Sequence, residues 1–264
     1  MGTKLTNAPV YYTVAQVQFN PILNLDSFLP AIQAKMREVH FPDFRQEVFQ
    51  RIVLPFGGSD ASQAPAPAIA PQSRYTFGKI NGKTNFMLDT TAISLQTTEY
   101  DTFETFSEML LLGLGILHHA LRLDFVERIG LRYLDAVQPL RDGESLNDFL
   151  VPEVLGLSHK IEGQLQQSAS ETISITPAGQ LVSRVIIRHG RVGLPMELVP
   201  LAPTIAARFT QKEGLHAIID TDASFSHREL FDLKNVGQCL EALHTEITKS
   251  FKATVTPHAE AAWA

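Results

Sequence analysis

Two six-residue phrases, MLDTTA at residues 87–92 and IIDTDA at residues 218–223, stand 131 residues apart, and each leads into a long helical pattern. The helices recur at a shift of 130. Phe103, Phe106, Leu110, Leu117 and Leu121 fall on Leu233, Val236, Leu240, Ile247 and Phe251, with the same 3-4-7-4 spacing. That spacing places apolar side chains on one stripe of a 3.6-residue helix. All amphipathic helices share it, so the helices alone prove little. The order strand, helix, strands, long helix also recurs, with a period equal to half the chain, and this carries the case for duplication.

The units read as residues 1–124 and 125–264, forming one compact body. Antiparallel strands with one apolar face need a cover, and a long helix supplies it. The expected fold is therefore α+β, a duplicated β-α-β(3-4)-α unit. Its antiparallel sheet is covered by two long helices in TATA-binding-protein-like order, and a helix-grip fold is the alternative. Such an element order transfers no function.

Local signals fill in the units. VYYTVAQVQF, ERIGLRYLDAV and EGLHAIIDTDASF read as strands from their β-branched and aromatic content. Asn81-Gly82 between RYTFGKI and KTNFMLD is a strong hairpin signal, because a two-residue type I′ turn needs positive φ at both positions. SETISITP and LVSRVIIRHG form a second hairpin. Asp26 caps a first helix, Asp101 or Thr102 a second and Asp232 the C-terminal one. Pro152 breaks a short helix. Residues 57–73, rich in Gly, Ala, Pro and Ser without periodicity, read as a flexible loop inserted in the first unit.

The 264 residues are 44% hydrophobic and carry a net charge of -6, the balance of a protein with a sizeable core. An acidic surplus argues against broad contact with a phosphate backbone. A single cysteine, Cys239, excludes an intrachain disulfide. The N-terminus lacks a charged region followed by an apolar core, and MLLLGLGILHHALRL is too short to span a bilayer, so neither signal peptide nor membrane is expected. The expected compartment is the cytoplasm.

The candidate chemistry is sparse. No P-loop, dinucleotide fingerprint, nucleophile elbow or Cys-x-x-Cys occurs, and the nine histidines show no metal-ligand spacing. No catalytic residue, cofactor or metal is expected. Alternation sends Arg128, Gly130, Arg132 and Leu134 to one side of a strand and Ile129, Leu131, Tyr133 and Asp135 to the other. Arg128 and Arg132 on one face could grip an anion, or form a salt-bridged surface. Arg188, His189 and Arg191 gather positive groups at a strand end. These five residues are the candidate anion or nucleic-acid contacts. Asp89 and Asp220 occupy matching places in the repeat and read as strand-ending turn residues or as a symmetric acid pair. Asp135, on an apolar side, needs a partner, expected to be a structural hydrogen bond.

The segments NAPVYYTVAQVQFNPI, RIGLRYLDAV and LEALHTEITKSFKATVTPHAEAAW together resemble a poorly characterised, sporadically distributed prokaryotic protein family of about this length. Asp135 stands where an Asn is expected, and Trp263 fits. The resemblance implies an intracellular protein of patchy distribution, as is common for defence or toxin–antitoxin genes, and carries over no catalytic residue. The expected role is a non-enzymatic protein-interaction component of such a locus, binding a protein partner or itself. Nucleic-acid binding on the sheet face, or a small-ligand binder or unrecognised enzyme, are the alternatives.

Overall fold

In the computed structural model, residues 7–53, 68–161, 163, 165–198 and 203–264 are described. The first strand, β1 (Val10–Phe19), follows the sequence pattern and leads through a 3-10 turn into α1 (Leu29–Glu38). Asp26 caps no helix; its carboxylate accepts the Tyr75 hydroxyl instead. There follow β2 (Asp43–Val53), β3 (Ala68–Gly78), β4 (Thr84–Leu88) and β5 (Ala92–Thr97). Of the expected loop at 57–73, residues 68–73 belong to β3, and the part up to residue 67 lies outside the described residues. The β3–β4 hairpin turns through Asn81-Gly82, but not as the expected type I′ turn: Gly82 has φ of 66° while Asn81 keeps a negative φ, and the Gly82 amide donates to the Lys79 carbonyl at 3.0 Å, closing a four-residue turn over Lys79–Gly82.

α2 (Phe103–Leu121) starts where the Thr102 side chain accepts from the Thr105 amide. Beyond it come β6 (Phe125–Val137), the single turns α3 (Leu146–Phe149) and α4 (Pro152–Leu155), and the hairpin β7 (Gln167–Thr176) and β8 (Gly179–Arg191). The chain ends with α5 (Ala207–Thr210), β9 (Glu213–Phe225), the two-residue β10 (Glu229–Leu230), α6 (Leu233–Thr254) and α7 (Pro257–Trp263). Asp232 caps α6 by accepting from the Asn235 amide.

Among the described residues, the strands join one antiparallel sheet of ten, ordered β2-β3-β4-β5-β1-β6-β9-β8-β7, with β10 paired to β6. The helices lie outside it. On one face α1, α2 and α6 bury Ile32, Leu110, Leu114, Leu117, Val236 and Leu240 against Val17, Phe86, Leu95 and Leu131. α3, α4 and α7 extend this cover over Val185, Ile187 and Ile219, where Trp263 packs against Phe149 and Phe251.

This large sheet with outlying helices replaces both expected folds, the duplicated unit in TATA-binding-protein-like order and the helix-grip. The two halves differ in plan: α1 and four full strands, β2–β5, separate β1 from α2, whereas single-turn helices, three long strands and the two-residue β10, which pairs with β6, separate β6 from α6. The two matching phrases also have different backbones. Asp89 sits in the turn between β4 and β5, its Oδ1 accepting from the Thr91 amide and hydroxyl, both at 2.8 Å, and from the Ala92 amide at 3.0 Å. Asp220 lies in mid-strand in β9, opposite Leu134 and Arg184. An Asp-Thr pair suits a tight turn, whereas in β9 the arginines of neighbouring strands hold Asp220 in mid-strand, so the recurrence did not mark equivalent positions.

Candidate functional site

The face of the sheet turned away from α1, α2 and α6 is polar. Alternation along β1, β5, β6 and β9 brings Gln16, Ser94, Gln96, Arg128, Arg132, Asp220 and Asp222 to it. The described parts of the chain between β8 and β9, residues 192–198 and 203–212, lie over one end of this face as a strap. Val192 and Phe209 cover Tyr11, Tyr12, Leu134 and Ile218. Tyr11 donates its hydroxyl to the Gly193 carbonyl at 3.0 Å, and Thr98 donates to the Thr204 carbonyl at 2.7 Å.

Under the strap, Asp220 accepts from Arg132 Nε at 2.7 Å and from Nη2 at 2.8 Å. Arg132 Nη2 also reaches Glu197 of the strap at 3.0 Å, Arg184 Nη1 lies 3.5 Å from Asp220, and Arg184 Nε donates to Glu171. Glu171, Arg184, Asp220, Arg132 and Glu197 thus alternate in sign from the sheet edge to the strap. Burial alone lowers the Arg132 pKa. The hydrogen bonds and charges of Asp220 and then Glu197 more than reverse this, so Arg132 stays charged.

Beside this chain of charges lies a groove of about 280 Å³, bounded by Glu197 and Leu198 and floored by β1, β5 and β6. Arg128 lies across Gly130, where a Cβ would come within 2.7 Å of Arg128 Nη1. Its hydrogen bond is a long one, 3.5 Å to Gln16 Oε1. Gln16 is held in turn by Ser94 and Gln18, each at 3.2 Å. Asp222, on the same wall, is held above the usual carboxylate range by burial, which the charges of Arg128 and Arg132 only partly offset. Among the described residues, neither Arg128 nor Asp222 closes an ion pair.

Of the residues named from sequence, Arg128 and Arg132 share this face, and alternation along β8 adds Arg188, in register with His216. His189 and Arg191 fall on the opposite side, and Arg191 pairs with Glu213 at 3.5 Å at the exposed strand end. Asp135 faces the helices, and burial pushes its pKa up to about 7. The hydrogen bond expected for it does not form to any described residue. Asp135 lies beyond Tyr133, whose hydroxyl goes to Tyr100, and its strand neighbours are Val10 and Ile219. His118 stacks on Phe231 and His244 on Phe103, with centroids 4.5 and 4.1 Å apart, as packing residues do. No group of three potential metal ligands is assembled among the described residues. No helix among them is long and apolar enough to cross a membrane.

Glu197, Arg184 and Gln16 carry no local sign of membership in this site, and the Asp-Thr-Asp run that holds Asp222 is too short to signal one. Each owes its place to cross-strand register or to the strap. No protein-family model, no curated protein and no solved structure matches the chain.

The two sheet edges differ. β2 exposes the charged residues Arg45 and Glu47 along its described half, beside Asp43. β7 is ten residues long and carries one charge, Glu171, already tied to Arg184. Ile173 and Ile175, 59% and 81% exposed, lie on the polar face of β7, in register with Val182 and Gln180 of β8.

Proposed function

We propose that this protein is a non-enzymatic interaction component that assembles through β7, adding a second copy of itself strand to strand. The observation that carries this reading is the outer edge of β7, which pairs with no described strand although α4 and the turn after it pack against part of β7. An edge strand presents a row of unpaired amides and carbonyls, and proteins that stay monomeric guard such rows with charge, proline or bulges. β2 is guarded by charge in this way; β7 has β-branched residues and two exposed isoleucines. One open edge and one guarded edge favour a closed two-fold pair over an open fibre, because the same strand serves both partners. The setting we propose, a prokaryotic defence-type or toxin–antitoxin-type locus, rests on the resemblance of the opening, central and closing segments. Nucleic-acid binding on the polar face draws less support, since Arg132 and Arg184 are engaged by acids and such binding needs a surplus of free cations.

Sedimentation equilibrium over a range of concentrations tests the assembly. The expected result is a reversible dimer for the native chain and a monomer for Ile173→Lys combined with Ile175→Lys. Val48→Lys on β2 should leave the dimer unchanged. A native chain that stays monomeric, or a dimer that survives both β7 lysines, overturns the reading.

A further inference from the structure

We propose that the groove between strap and sheet binds a small organic anion that also carries a hydrogen-bond donor, the class of amino acids and short peptides. Arg128 would take the anionic oxygens and Asp222 the donor. This inference is independent of the β7 assembly.

The contrast between Arg128 and its neighbours Arg132 and Arg184 carries it. Arg132 and Arg184 each meet a carboxylate, and together with Asp220 they lock strands and strap. Arg128 meets none. It is half-buried and laid over Gly130, and its hydrogen bond among the described residues is the long one to Gln16, with the charge of Asp222 nearby. A guanidinium in this state keeps most of its donors for planar, two-oxygen recognition of a carboxylate or phosphate. Asp222 lines the same groove with no hydrogen bond to a described residue, and it is an acceptor that calls for a donor from the ligand.

Gly130 is part of the device, because any side chain there would occupy the space in which Arg128 lies. Met87 and Leu198 supply apolar wall. A volume of about 280 Å³ sits just below the usual range for small-molecule sites, roughly 300–1,000 Å³, which limits the occupant to a small molecule.

Isothermal titration calorimetry with L-glutamate, the dipeptide alanyl-glutamate, glutarate and inorganic phosphate tests the proposal. Glutamate or the dipeptide should bind, with glutarate and phosphate weaker by about tenfold or more for want of the ammonium donor. Arg128→Gln should weaken the best ligand by about tenfold or more. Asp222→Asn should weaken it too, while leaving glutarate binding unchanged or stronger. Gly130→Ala is a second route to the same loss, acting by displacing the Arg128 guanidinium, and thermal melts of the free variants report whether each is folded. Absence of binding by glutamate and the dipeptide, equal binding of phosphate, or native-like affinity in folded Arg128→Gln overturns the site.

Discussion

Arg132 of β6 and Asp220 of β9 form a two-bonded ion pair, at 2.7 and 2.8 Å, in which the Asp220 side chain is only 2% exposed. The pair ties neighbouring strands together, and through Glu197 it also holds the strap. Removing one member of a buried pair strands the other charge in a poor solvent, at about 3–5 kcal/mol. Asp220→Ala should therefore lower unfolding free energy by about 3 kcal/mol or more in urea titrations. Glu197→Gln should cost under about 1 kcal/mol, because Glu197 is largely exposed and its ion pair is screened. Equal losses for the two variants would show that the pair is not the strap's anchor.

Asp135 predicts a pH dependence of definite sign. Burial raises its pKa from 3.8 to about 7, so the folded state keeps a proton that the unfolded chain releases. Its contribution to stability is greatest below pH 3.8, falls as pH rises toward 7, and levels off above. At ~1.4 kcal/mol per pH unit, the loss is on the order of 4 kcal/mol. Asp135→Asn should abolish this component. The check is the difference between native and variant unfolding free energies at pH 4 and pH 8; the same difference at both values would exclude it.

Gly113 and Gly115 of α2 should respond oppositely to alanine. A Cβ on Gly113 would lie 2.5 Å from the Phe86 ring, deep in the core, so Gly113→Ala should destabilise by about 1–3 kcal/mol through overpacking. At Gly115 the nearest atom is Leu233 Cδ1 at 3.8 Å, an ordinary contact. Gly115→Ala should instead stabilise by about 0.5–1 kcal/mol through helix propensity. Thermal melts of the two variants, shifted in opposite directions, are the expected readout.

The two long helices depend on side-chain caps in the same way. Thr102→Ala and Asp232→Ala should each cost about 1 kcal/mol. Hydrogen exchange should quicken at the Thr105 and Asn235 amides, which these side chains now satisfy. Unchanged exchange at those two amides would remove the capping role.

Much of the local structure was legible in sequence. The spans of β1 and β9, the place but not the type of the turn at Asn81-Gly82, the cap at Asp232 and the two-sidedness of β6 follow from patterns within a few residues, while the choice of Thr102 over Asp101 as the other cap does not. The first helix was a local miss. Asp26 had the right residue type for a cap, but a bond to Tyr75, 49 residues away, engaged its carboxylate.

Sequence by itself determined which segments become strands and helices, and which side chains share a face, because these depend on the chain's own periodicity and on its nearest neighbours. Only the tertiary structure decided the strand order, the charge chain from Glu171 to Glu197, and the pairing of Arg128 and Asp222 along one groove. Those relations join residues far apart in the chain: Arg132 and Asp220 are separated by 88 positions, and Arg128 and Asp222 by more. They are fixed by the register that buries the most apolar surface under the helices, a sum over the whole chain that no short stretch records.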